Sequence, residues 1–224
     1  MRLLSTLALG AFVLPVAAQA ADPHSYAQPR DVLVKHLDLN LKVDFAHKQL
    51  DGVATLTLDW KNPEAEELVL DTSALQIASV EALDAQGHGY TLPFKLSEPV
   101  KAMGAKLTVE APKHPHEVRI AYKTSPHASG LQWLDPAQTA GKHHPFLFSQ
   151  SESVHARSWI PLQDSPYVRF TWHANVRAPE DLRVVMSAPN DPRHPRDGSF
   201  DFTILPRSAH DVLAGAMAGG VRMK

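Results

Sequence analysis

The amino-acid sequence predicts an all-β fold, a saddle-like antiparallel β-sandwich built from many short strands. The first observation is a strict alternation of polar and apolar residues over His36–Phe45, the period expected of a half-buried strand. The second is the abundance of turn formers, with 11 Gly and 18 Pro placed between short apolar runs. No amphipathic helical pattern longer than two turns is present. Short strands separated by turn signals at intervals of roughly ten residues are typical of a sandwich.

The first two strands form a predicted hairpin. Apolar residues over His36–Phe45 and over Ala54–Trp60 point to one face, so one side of the hairpin is buried and the other meets water. A turn is predicted between the strands at Ala46–Gln49, and a bulge at Asp51–Gly52. The remaining strands are predicted at Leu68–Leu70, Ile77–Leu83, Tyr90–Phe94, Leu107–Val109, Val118–Tyr122, Val168–Val176, Leu182–Ala188 and Phe200–Phe202.

The start of the chain has the pattern of a secretory signal peptide. Arg2 supplies the positive charge, Leu3–Val16 is apolar, and Ala18-Gln19-Ala20 gives the small-x-small cleavage pattern. The apolar run is shorter than the roughly 20 residues that a membrane-spanning helix needs. We therefore expect cleavage near Ala20 and export to the periplasm as a protein without a membrane anchor.

Composition narrows the classes of function. The 224 residues carry 22 basic and 24 acidic side chains without a block of one sign, so no nucleic-acid or anionic-membrane partner is expected. The chain has no Cys, which excludes disulfides, thiolate metal sites and cysteine nucleophiles. Its 13 His residues include no HExxH pair, and we expect scattered surface imidazoles without a metal ion.

The predicted organisation is one domain between two flanking segments. Residues 1–20 form the signal peptide, residues 21–203 the β domain and residues 204–224 a divergent tail. The tail is rich in Ala and Gly and has no clean period. A frayed segment and a weak helix over Ala209–Met217 both fit that composition.

One stretch is unusual for a β domain. Phe146–Pro166 reads FLFSQSESVHARSWIPLQDSP, with five consecutive polar residues after an aromatic run. A buried strand would alternate there, so we expect flanking strands to hold Gln150 and Glu152 rigidly at the mouth of a cleft. A solvated strand edge is the simpler alternative for this pair.

The same stretch contains residue types of a serine hydrolase. Ser149 or Ser151 would act with His155 and Asp164, all within one short segment. Triads are recognised by their geometry in the fold, and the Gly-x-Ser-x-Gly elbow is missing from this sequence. The triad therefore remains a minor alternative.

Four segments together resemble a known family. They are Lys35–Leu58, Leu68–Leu75, Ser129–Pro166 and Val168–Ala188. They are similar to the N-terminal domain of the zinc aminopeptidases of the aminopeptidase N and leukotriene-A hydrolase family, with the leukotriene-A hydrolase branch the nearer of the two. The resemblance covers about Val32 to Thr203.

The resemblance implies a saddle-like β domain that forms one wall of a substrate cleft beside a zinc-containing catalytic domain. Gln150 matches a glutamine that lines the substrate pocket. Glu152 matches a position that holds the free α-amino group of a peptide, a role that suits a carboxylate because it forms charge-assisted hydrogen bonds with ammonium.

The family's zinc motif and its Gly-x-Met-Glu-Asn loop are both missing from this sequence. We therefore expect no catalytic residues and no metal site in this chain, and no activity from it alone. The expected product is a truncated family member, or a split protein whose catalytic half is encoded separately. A stand-alone periplasmic module that binds peptides or a protein partner is the alternative.

Overall fold

The computed structural model describes residues 22–84 and 87–187, and the backbone of two further strands. The predicted signal peptide lies outside the described residues. The strands are β1 (Val32–Asp44), β2 (Gln49–Trp60), β3 (Glu67–Thr72), β4 (Gln76–Leu83), β5 (Gly89–Thr91), β6 (Phe94–Leu96), β7 (Ala105–Glu110), β8 (Glu117–Lys123), β9 (Leu131–Leu134), β10 (Phe146–Ser149), β11 (Phe170–Arg177), β12 (Ser199–Arg207) and β13 (Gly215–Gly219). Within the described part of the chain, helix is limited to two short 3-10 turns, Pro136–Gln138 and Ala156–Ser158.

The strands form three sheets. The large sheet has seven strands in the order β12-β11-β1-β2-β8-β4-β5, and the two small sheets have the orders β13-β10-β9 and β3-β7-β6. The all-β prediction is confirmed. One pair departs from the predicted antiparallel arrangement, because β1 and β11 run parallel. A period of two fixes which face a side chain takes and leaves the direction of the neighbouring strand open.

The predicted β1–β2 hairpin is confirmed, and its irregularity lies elsewhere than expected. The register shifts between Val34 and His36 rather than at Asp51–Gly52, so the predicted bulge is wrong. Gly52 instead allows close packing, because a Cβ atom there would lie 2.5 Å from Leu41 Cδ2 and 3.3 Å from Tyr122 Cζ. Glycine in a strand marks either a bulge or a close approach, and the sequence does not distinguish the two.

Three other segments differ from the sequence prediction. The predicted strand at Tyr90–Phe94 divides into β5 and β6, which belong to different sheets. The described part of Leu182–Ala188 lies outside the strands, although Leu182, Val184 and Met186 are buried. In the tail, β13 pairs with β10, so a helix is wrong at residues 215–217. Residues 209–214 of that predicted helix lie outside the described residues.

A continuous core joins the sheets. It contains Leu37 and Leu41 from the large sheet, Leu70 and Leu107 from one small sheet, and Leu147 from the other. All five side chains are fully buried. The buried Leu147 of β10 therefore belongs to the same core as the residues of the other two sheets. No helix in the described ranges is long and apolar enough to span a membrane.

We predict that Gly104 and Gly87 respond differently to the same substitution. Both have positive φ angles, +74° and +81°, so alanine at either site costs about 1–2 kcal/mol of backbone energy. At Gly104 a Cβ atom would also lie 2.1 Å from the Thr72 carbonyl oxygen, whereas at Gly87 nothing lies within 4 Å. Gly104→Ala should therefore lose a further 1–3 kcal/mol, roughly, in urea unfolding. Equal losses for the two variants would contradict the close contact at Gly104.

Candidate functional site

Gln150 and Glu152 lie directly after β10, on the exposed side of the chain. The alternation of β10 continues past its end, because Ser149 and Ser151 are buried while Phe148, Gln150 and Glu152 are exposed. Small hydroxyl side chains thus occupy the inward positions where a sequence pattern normally shows large apolar residues. The exposed side presents an aromatic ring, an amide and a carboxylate in succession.

The turn after β10, residues Gln150–His155, is called here the polar turn. Its backbone is fixed at both ends: the Gln150 N–H donates to the Gly130 carbonyl (2.9 Å) and the His155 N–H donates to the Ser151 carbonyl (2.9 Å). Between them, Gln150 Oε1 accepts a hydrogen bond from the Glu152 N–H (3.1 Å). The peptide bond after Glu152 is cis.

The side-chain hydrogen bond of Gln150 determines what this residue offers to a ligand. Because its Oε1 atom accepts the Glu152 N–H, its Nε2 hydrogens remain as donors and have no acceptor in the described part of the chain. Glu152 supplies the complementary group, an exposed carboxylate that accepts hydrogen bonds and is in no ion pair among the described residues. Donor and acceptor thus lie two residues apart on one side of the polar turn.

Two buried residues support the polar turn from beneath. Ser151 is fully buried, and its Oγ atom accepts a hydrogen bond from Trp159 Nε1 at 3.3 Å. Trp159 is itself fully buried in the core. The buried Trp159 ring, through its hydrogen bond to Ser151, therefore fixes the position of the polar turn relative to the core.

A second contact zone joins the polar turn to the segment before β9. His155 Nδ1 lies 2.9 Å from Ser129 Oγ. The Gly130 N–H donates to Ser158 Oγ (2.8 Å), and the Ser158 hydroxyl donates to the His155 carbonyl (2.7 Å). A Cβ atom on Gly130 would lie 2.6 Å from the His155 carbonyl oxygen, so only glycine fits there.

Ser129 and Gly130 belong to this site, although their sequence context did not predict it. They lie 21 and 20 residues before Gln150, the first residue of the polar turn, and no local pattern links the two segments. Pairing of β9 with β10 brings them together. A glycine directly before an apolar strand is the one signal that would have marked a close backbone approach.

A buried ionic network follows the polar turn. Arg157 is 1% exposed, and its Nε atom donates to Asp164 Oδ2 at 2.9 Å. Its Nη2 atom donates to the Asp164 carbonyl (3.0 Å) and its Nη1 atom to the Met103 carbonyl (2.9 Å). Asp71 lies on the other side, with Oδ1 at 3.8 Å from Arg157 Nη1. Burial raises the pKa of the Asp71 carboxyl above its usual value, an effect that Arg157 and hydrogen bonds offset only in part.

The alternative serine-hydrolase grouping finds no support in these contacts. Ser149 and Ser151 are buried, and Asp164 lies against Arg157. The hydroxyl beside His155 Nδ1 belongs to Ser129. Among the described residues, no three His, Asp or Glu side chains are grouped so that they could hold a metal ion. The side chains of this site therefore do not fit a zinc centre.

Comparison with known proteins decides the family. A family model described as the peptidase M1 N-terminal domain matches residues 33–203. The chain belongs to the peptidase M1 family. The resemblance found in the sequence is thereby confirmed, and the chain contains the N-terminal domain of that family.

Individual relatives agree with this assignment. The M1 domain is 39% identical over 185 residues to leukotriene A-4 hydrolase of Xenopus laevis, a match that covers 76% of this chain and 28% of the relative. It is 35% identical over 178 residues to leucine aminopeptidase 2 of Pyricularia oryzae, covering 77% and 28%. The chain thus spans a little over a quarter of the length of these relatives.

Solved structures share the fold of the M1 domain. Yeast LTA4 hydrolase in complex with Bestatin superposes with a TM-score of 0.80 at 28% identity, over 93% of this chain and 32% of that one. An M1 zinc metallopeptidase from Deinococcus radiodurans superposes with a TM-score of 0.65 over 86% of this chain and 43% of that one. At 22% identity, this likeness shows the fold alone.

We predict that Arg157 stabilises the domain far more than an exposed arginine does. Arg157→Leu leaves two buried carboxylates without their cation and should cost about 3–5 kcal/mol of unfolding free energy. The matched control is Arg119→Leu, which breaks a partly exposed pair with Glu81 at 3.7 Å and should cost less than about 1 kcal/mol. Urea unfolding of both variants measures the difference. Similar losses would show that the two buried carboxylates do not depend on the Arg157 cation.

Proposed function

We propose that this M1 domain forms the cleft wall that binds the free amino end of a peptide, with Glu152 as the acceptor for the α-ammonium group. The observation that carries the proposal is an exposed row, with Phe148 in β10 and Gln150 and Glu152 on the polar turn, whose backbone is hydrogen-bonded at both ends. An ammonium group and a carboxylate form charge-assisted hydrogen bonds, which are among the stronger ones in proteins.

Gln150 and Phe148, the other two residues of the row, suit a backbone carbonyl group and a side chain of the same peptide. The Nε2 hydrogens of Gln150 are donors and match a peptide carbonyl oxygen. Phe148, 37% exposed, offers an apolar surface to a side chain. The name of the leucine aminopeptidase relatives agrees with recognition of an amino end.

The proposed role is binding, with hydrolysis assigned to a separate catalytic domain. A zinc aminopeptidase site needs His and Glu ligands in an HExxH arrangement, and this sequence contains no such motif. The catalytic domain would supply the zinc ligands and the opposite wall of the cleft, either in the same polypeptide or as a separately encoded half. A stand-alone peptide-binding module uses the same exposed row without that domain.

We predict that Glu152→Gln weakens binding of a short peptide with a free amino end by at least about tenfold, because a neutral amide loses the charged hydrogen bond. Calorimetric titration with a Leu-containing tripeptide and its N-acetylated form measures this. The matched control is Glu98→Gln, which changes an exposed carboxylate in the connection between β6 and β7. This variant should leave the affinity for the peptide unchanged.

Two outcomes would contradict the proposal. Equal affinity for the free and the acetylated peptide would show that the α-ammonium group is not recognised. Hydrolysis of an amino-acid arylamide by this chain alone, with stoichiometric zinc, would contradict the purely binding role.

We also propose that the protein is exported and that its signal peptide, residues 1–20, is removed by cleavage near Ala20. The support is the charged, apolar and small-x-small order of the first residues. Expression with the natural leader in a Gram-negative host should place the protein in the periplasmic fraction, with an amino terminus at Ala21 by N-terminal sequencing. A cytoplasmic product that retains Met1 would contradict this proposal.

A further inference from the structure

The segment Asp22–Tyr26, called here the amino-terminal strap, is tied to the domain by its own hydrogen bonds. Asp22 Oδ2 accepts the Ser165 hydroxyl at 2.6 Å, and Asp22 Oδ1 accepts the His24 N–H at 2.9 Å. Burial alone would raise the pKa of Asp22, but these hydrogen bonds outweigh it and lower the pKa. The strap is therefore fixed at its first described residue.

The other end of the strap reaches the buried carboxylate of Asp71. Ser25 Oγ–H donates to Asp71 Oδ2 at 2.6 Å, and the Tyr26 N–H donates to Asp71 Oδ1 at 2.7 Å. The Tyr26 hydroxyl also donates to the Gly104 carbonyl at 3.3 Å. Asp71 is fully buried, so without the strap its carboxylate would lose two donors while it stays beneath the surface.

Asp71 also contacts the segment that follows the polar turn. Its Oδ2 atom also accepts the Asp164 N–H at 2.9 Å, and its Oδ1 atom lies 3.8 Å from Arg157 Nη1. The backbone of Asp71 is paired with Leu162 as well, through a hydrogen bond of 2.8 Å from the Asp71 N–H. One carboxylate thus joins the strap, β3 and the segment that contains Arg157.

Arg157 is connected to the polar turn through the residues on either side of it. Arg157 lies in the 3-10 turn Ala156–Ser158, which directly follows His155. Ser158, its neighbour, donates to the His155 carbonyl at 2.7 Å. Displacement of Arg157 would therefore move His155, the carboxyl end of the polar turn that carries Glu152.

We propose that the amino-terminal strap is a positioning element for the binding site, acting through Asp71 and Arg157 to hold the polar turn that carries Gln150 and Glu152. The effect of the strap on the polar turn is inferred from the contacts alone. The effect of the strap on ligand affinity rests on the proposed function. Ser25 is a positioning residue in this scheme, because it touches Asp71 and no ligand.

Hydrogen exchange on the full chain tests the strap independently of any ligand. Ser25→Ala removes the 2.6 Å hydrogen bond to Asp71 and the one that Ser25 Oγ accepts from the Ala27 N–H. We expect the amides of residues 150–158 to exchange about fivefold faster, with β2 unchanged. Ser97→Ala is the matched control, because Ser97 Oγ also donates one hydrogen bond and accepts one, but at the β6–β7 connection.

The outcomes separate this inference from the proposed function. Unchanged exchange in residues 150–158, or an equal increase in every segment, would overturn the positioning role of the strap. Faster exchange confined to residues 150–158 supports it, whether or not peptides bind. If the wild-type chain binds a free-amino tripeptide, Ser25→Ala should weaken that affinity severalfold while Ser97→Ala leaves it unchanged. If the wild-type chain fails to bind, only the proposed function fails.

Discussion

A buried arginine between two buried carboxylates is the constraint that fixes the segment after the polar turn. Arg157 is tolerated in the interior because Asp164, Asp71 and the Met103 carbonyl satisfy its guanidinium group. Removing charges from water is costly, so such a network contributes little net stability as a whole, yet losing one member leaves the others unpaired. The network therefore permits one arrangement of the segment that follows the polar turn. It also joins that segment to β3 and to the amino-terminal strap.

The second constraint is the size of the inward residues after β10. Ser149 and Ser151 are buried, so the chain remains close to the core and its outward side chains emerge from a supported backbone. Trp159 fills the space below and donates a hydrogen bond to Ser151. A recognition group on a flexible loop would lose conformational entropy on binding, whereas Gln150 and Glu152 begin from a turn that is already ordered by hydrogen bonds.

These constraints support the binding role proposed for the M1 domain. The M1 domain presents a donor and an acceptor two residues apart, and the described residues bring together no metal-binding group. In the proposed role, such a wall would contribute to catalysis by fixing the orientation of the bound ligand. The same rigidity would serve a stand-alone binding module, so rigidity by itself does not choose between the two roles.

The sequence by itself determined the all-β class, the β1–β2 hairpin, the strand at Val168–Val176 and the M1 family, because these depend on local periodicity and on motifs that are contiguous in the chain. It also identified Gln150 and Glu152 as candidates, but it treated the polar stretch as a break in alternation. Only the tertiary structure decided that Ser149 and Ser151 face inward, that β1 and β11 are parallel, and that Ser129 meets His155. The physical reason is that these features depend on contacts between segments distant in sequence, and hydrophobic patterning carries no record of such contacts when the buried side chains are polar.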